Sequence, residues 1–200
     1  MKKIFSNPYH LHSIHEIRSN PSIVPKSNGV YAWFFKQAPP CVPYFDCITH
    51  DGLKLLYIGI SPDKKAKPNS TQSLKHRIHY HCTGNAEGST LRRTLGVLLT
   101  LESGFPLRRV GSGKRMTFTK KGEQWLNLWM QDNAFVTWTE HDEPWVLEDE
   151  LLHVLSLPLN IKGNRHHPFA SELTKMRKQA IAKARETPIF IETEPESREL

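Results

Sequence analysis

Apolar residues fall along this chain in short runs, and each run has a readable period. Residues 29–35 (GVYAWFF) and 55–61 (LLYIGIS) are β-branched and aromatic, which predicts two strands, the second antiparallel to the first. Residues 135–139 (FVTWT) predict a third. Ser73 is placed to cap a helix reaching to about Cys82, with Leu74, Ile78 and Cys82 as its buried stripe. Further helices are predicted over 90–101, 122–132, 144–156 and 171–185, with Pro144 in the first-turn position it favours. Pro8, Pro21 and Pro25 make the first 28 residues an irregular lead-in, and 39–52 reads as a long connection. Gly104, Pro106, Gly111 and Gly113 predict a loop over 104–120, with one short strand around 116–118. Strands scattered among helices without a regular βαβ rhythm predict an α/β (α+β) fold. Its centre is a small, mainly antiparallel three-stranded sheet flanked by helices.

Two helices carry polar residues where their pattern makes them informative. On the helix after Pro144, the apolar face comprises Trp145, Val146, Leu147, Leu151, Leu152, Val154 and Leu155. At about 100° per residue Glu148 falls near that face, whereas Asp149, Glu150 and His153 point away from it. A carboxylate among core leucines demands a cation, a metal or hydrogen bonds. On the earlier helix, Arg77 and His81 stand one turn apart beside the buried stripe and can reach one phosphate together.

Charge sharpens this picture. The 200 residues carry a formal charge of +7, distributed in blocks. Residues 60–121 hold 13 Lys/Arg against 3 acids, residues 122–160 hold 8 acids and no Lys or Arg, and 161–186 hold 7 Lys/Arg against 2 acids. The basic blocks suit a phosphate polymer. The apolar share of 38% is too rich for a disordered chain, and no run approaches the ~20 residues of a membrane span. The N-terminus has two lysines without an apolar stretch behind them, which is not a signal peptide. Cys41, Cys47 and Cys82 make no disulfide framework or zinc spacing, so a reduced, cytoplasmic setting is expected. Gly111-Ser112-Gly113-Lys114 lacks the rest of a Walker pattern, which argues against an NTPase.

Gly29-Val30-Tyr31 and Tyr57-Ile58-Gly59 resemble the two halves of the GIY-YIG nuclease signature. The order of residues beyond them is more specific: Arg77, His81 four residues on, Glu148 on a late helix and Asn160 twelve residues after it. The Arg-x-x-x-His spacing is most similar to the restriction-endonuclease branch. Val30 for the middle Ile and the long connection between the tripeptides depart from the pattern. The resemblance implies a GIY-YIG-like domain over 28–162 with a helical, basic insertion at about 84–133. Around it lie a lead-in (1–27), a basic C-terminal helix (163–187) and an acidic tail (188–200).

It also implies an endonuclease that hydrolyses DNA with one divalent cation, Mg²⁺ or Mn²⁺, held by Glu148 with waters completing the shell. Arg77 would stabilise the phosphate. Tyr31 would act as general base through a lowered pKa, with Tyr57 beside it, His81 assisting proton movement and Asn160 orienting the site. Gly29 and Gly59 are the structural glycines of the motif. Lys64, Lys65, Lys67, Arg92, Arg93, Arg108, Arg109, Lys114 and Arg115 are expected to contact the nucleic-acid backbone. The expected partner is double-stranded DNA, met by a monomer or homodimer away from membranes. The alternative is a catalytically inactive nucleic-acid-binding module on the same fold.

Overall fold

The computed structural model describes residues 3–65 and 68–192, so Lys67 and the end of the acidic tail lie outside the described residues. The elements run α1 (Lys3–Ser6), β1 (His12–Ser13), α2 (Ile14–Ser19), β2 (Gly29–Phe35), β3 (Thr49–His50), β4 (Leu53–Ser61), α3 (Leu74–Thr83), α4 (Thr90–Leu98) and α5 (Thr100–Ser103). They continue through β5 (Arg108–Val110), β6 (Arg115–Thr117), α6 (Thr119–Asn133), β7 (Ala134–Glu140), α7 (Pro144–Val154) and α8 (Ala170–Glu186). The architecture is α+β.

The main sheet has five strands in the order β1-β7-β2-β4-β3, each pair antiparallel. This corrects the expected three: the central trio is β7-β2-β4, and the added strands are two-residue edges at His12–Ser13 and Thr49–His50. The lead-in is likewise more regular than its prolines suggest. Ser13 and Glu16 form a reciprocal capping box that starts α2. The 104–120 loop is a β-hairpin, β5–β6, turned by Gly111 and Gly113 at φ 58° and 80°.

Both faces of the sheet are covered, which explains why β2 is buried at all seven positions. Tyr31, Trp33 and Phe35 join a core with residues of α2, α3, α4, α6 and α8, whereas Val30, Ala32 and Phe34 pack with Leu147, Leu151 and Leu152 of α7. The apolar stripe of α7 is narrower than its sequence implies, because Val146 and Val154 are exposed.

One irregularity interrupts the pairing at the centre of the sheet. The β2–β4 register runs Trp33↔Tyr57 and then Phe34↔Leu55, so Leu56 is a bulged residue. β3 pairs with β4 only at Leu53 and Lys54, which leaves the rest of that edge without a strand neighbour.

Candidate active site

The unpaired edge of β4 is completed from the end of the chain's acidic block. The Leu56 carbonyl accepts from the Leu159 N–H at 3.1 Å. The Asn160 amide then binds Ile58 twice, accepting from its N–H and donating to its carbonyl, both at 2.9 Å. A single side chain thus takes the place of a strand, meeting the demand that buried backbone groups be paired. Asn164 is buried and locks the loop from below by donating to the carbonyls of Leu157 (2.8 Å) and Asn160 (3.1 Å).

This clasp brings Asn160 beside the motif tyrosines. Tyr31 is opposite Gly59 in the register, and its ring lies over that glycine. A Cβ at position 59 would sit 2.4 Å from the Tyr31 hydroxyl oxygen, so the close approach requires glycine. Gly29 faces a similar limit, since its Cβ would meet the Thr139 carbonyl oxygen at 2.3 Å.

From α3, which Ser73 caps as its sequence predicts, Arg77 Nε donates to the Tyr31 hydroxyl at 3.3 Å and Nη1 donates to the Gly88 carbonyl at 2.8 Å. Its Nη2 has no partner among the described residues. One turn on, His81 Nε2 lies 2.9 Å from the same hydroxyl, and its Nδ1 lies 2.7 Å from Ser89 Oγ. His81 is fully buried.

Tyr31, Tyr57, Gly59, Arg77, Glu148 and Asn160 line one cleft of about 280 Å³, joined there by Asp63 and Lys162. His81 stands behind Tyr31 and does not line it. Asp63, Lys162 and Ser89 carry no sequence signal for such a place. Lys162 pairs with Asp63 at 2.8 Å, and Lys65 pairs with Asp149.

Burial governs the ionisation of this group. It raises Tyr31 above the ordinary phenol value, opposed by the Arg77 charge and hydrogen bond. The lowered pKa expected for this tyrosine is therefore absent from the protein alone. Tyr57 is pushed well up by burial and by Tyr31. His81 is driven well below its ordinary value by burial, with Arg77 and Arg92 adding to the effect, and is neutral near pH 7. Glu148 is raised to about 7 by burial, with Asp63 and Asp149 pushing the same way and Lys162 and Lys65 against.

Two crowded carboxylates, Glu148 and Asp63, with no sulfur or imidazole on the cleft wall, fit a hard divalent cation that keeps most of its waters. A separate grouping of His10, His12 and Glu16 could also ligate a metal, but none of its residues lines the cleft.

The expected backbone contacts fare differently from one another. Arg92 is wholly buried: it pairs with Glu123 at 2.7 Å and donates to the His81 carbonyl at 3.1 Å, so it braces the core instead of facing a ligand. Arg93 donates to the Ala86 carbonyl and pairs with Glu87. Arg108 donates to the Pro188 carbonyl and Arg109 to those of Ala184 and Thr187, holding the chain after α8. Lys64 is exposed over the Trp145 ring, and Lys114 and Arg115 are exposed on the hairpin.

A family model described as the GIY-YIG catalytic domain matches residues 29–179. No curated protein and no solved structure gives a match to the chain.

Proposed function

The chain belongs to the GIY-YIG catalytic-domain family, a nuclease fold whose members use divalent metals, and on that footing we propose that it is a metal-dependent DNA endonuclease. The observation that supports this most is the convergence of Tyr31, Tyr57, Arg77, Glu148 and Asn160 on one cleft, with His81 hydrogen-bonded behind Tyr31. Glu148, with Asp63 nearby, would hold Mg²⁺ or Mn²⁺. Such an ion, when bound, supplies charge relief for the phosphodiester oxygens and the leaving 3′ oxygen.

The protein's own groups divide the rest of the work. The Tyr31 oxygen takes the proton of the attacking water as its own hydroxyl proton passes to His81 Nε2. A neutral imidazole is the form that can accept it, and burial keeps His81 neutral. Ser89 fixes the ring by bonding Nδ1. Arg77 steadies the Tyr31 oxygen through Nε and offers Nη2 to a phosphoryl oxygen, where a preorganised donor is most effective. Tyr57 supports the tyrosine pair, and Asn160 acts through the backbone, holding β4 against the loop that carries Lys162.

The test is incubation of supercoiled plasmid with Mg²⁺ and the wild type, Glu148→Ala or Arg77→Ala. The expected result is nicking by the wild type alone, with at least a hundredfold loss in each variant. Equal nicking by wild type and Glu148→Ala overturns the assignment. Tight binding with no cutting by any form replaces it with the inactive binding module.

A further inference from the structure

With Arg92 buried and Arg93, Arg108 and Arg109 committed to the protein's own carbonyls, four of the nine expected backbone contacts are spoken for. A different surface offers free cations. A groove of about 650 Å³ follows α8, and its wall includes Ile161, Arg165, Thr174, Lys175 and Lys178. Ile161 also belongs to the wall of the catalytic cleft, so the two depressions meet at the end of the Asn160 loop. Every charged side chain lining the groove is basic. Arg165, Lys175 and Lys178 are exposed, and none has an ion-pair or hydrogen-bond partner among the described residues.

Arg177 stands beside the groove wall and interacts electrostatically with Tyr57 of the cleft. On the helical wheel it falls between the buried Leu173 and Ala184 and the groove-lining Ala170 and Thr174. Its guanidinium is half-buried and interacts electrostatically with Tyr57 and Arg93, yet no carboxylate pairs with it among the described residues. A partly buried cation beside another cation is unfavourable until an anion joins them. An arginine with no hydrogen-bond partner among the described residues suits a phosphate above other anions.

We infer that the α8 groove carries one strand of the polynucleotide as it leaves the cleft, with Arg177 gripping the phosphate next to the reacting one and Arg165, Lys175 and Lys178 holding those beyond. The dimensions agree. Residues 171–179 span about 12 Å of helix at 1.5 Å per residue, a length that can face more than one phosphate of a strand. Such contacts give affinity and direction and read no bases. Identifying the ligand as nucleic acid rests on the endonuclease reading, but the groove's cations do not depend on cleavage.

Binding and cutting therefore need to be measured apart. The probe is a fluorescent 30-base-pair DNA duplex, titrated by anisotropy across a salt series with Glu148→Gln protein. The same protein carrying Lys175→Ala with Lys178→Ala is compared with it. The double variant is expected to bind about tenfold more weakly near 0.15 M salt, with the slope of log K against log salt reduced by about 2. Arg177→Ala is expected to reduce the slope by about 1 and, in an otherwise wild-type chain, to raise KM more than it lowers kcat. Arg177→Lys recovers part of the loss. Removing equal charge elsewhere, with Lys26→Ala and Lys36→Ala, leaves the slope within 0.5. An unchanged slope in the groove variants, or an equal loss in the Lys26/Lys36 control, overturns the inference. If the wild type cuts plasmid while the groove variants bind normally, the groove fails and the nuclease reading stands. If binding depends on the groove while no form cuts, the reverse holds.

Discussion

Glu148 is the residue on which stability and chemistry pull in opposite directions. Its carboxyl titrates at about 7 in the folded chain, against 4.5 for the ordinary group. A raised folded value means the favourable neutral form is fully present below about 4.5, and its contribution is lost as pH rises through 7. At pH 8 without divalent cations the ionised form costs on the order of 3 kcal/mol. Glu148→Gln should therefore raise the urea-unfolding free energy by about that amount at pH 8 in EDTA, and by little at pH 4. Adding Mg²⁺ should stabilise the wild type and leave the variant unmoved. Glu148 was legible because its carboxylate breaks an apolar helical face, a local signal. Asp63 was not, because it lies in a loop with no period, and nothing in sequence ties it to a helix 85 positions on. Arg92 misled for the same reason: its counter-charge, Glu123, is 31 residues away, and until the two meet an arginine reads as surface.

At the scale of elements, α3, α4 and α6 are held in register by that pair. The Glu123 carboxylate accepts from Arg92 Nη2 at 2.7 Å and from the Ala86 N–H at 2.8 Å, while Arg92 reaches back to the His81 carbonyl. The helix carrying the His81 imidazole is thus braced by a buried ion pair. Removing one partner strands the other charge, so Glu123→Ala should cost about 3–5 kcal/mol, read as a shift in the urea midpoint. Replacing both, with Arg92→Met and Glu123→Leu, should recover most of that loss. The larger elements were legible because each satisfies its own period: β2, β4 and β7 by composition, α3 by its cap and stripe, α7 by Pro144. The two edge strands were not, since two residues carry no periodicity and β1 exists only by pairing His12 and Ser13 with Val136 and Phe135.

Taken whole, the molecule has no seam in its principal core, which gathers residues from Ile14 in α2 to Ala184 in α8. Trp33 in the sheet and Trp129 in α6 belong to that same cluster. Unfolding should accordingly be one transition, with tryptophan fluorescence and far-UV circular dichroism tracing superimposable urea curves. A separate early phase in fluorescence would mean that α4 to α6 melt independently of the sheet. The charge blocks also make sense at this scale. The acidic block delivers Glu148 to a cleft that Arg77 also lines, and the last basic block reaches that cleft through Ile161 and Lys162. The bond between Ile58 and Asn160 spans 102 residues of chain. A ribosome adding about 5–20 residues per second therefore completes the tyrosines roughly 5 to 20 seconds before the clasp that sets them. On the endonuclease reading, that interval is a safeguard: an unfinished chain emerging near nucleic acid has its tyrosines but not yet the means to cut.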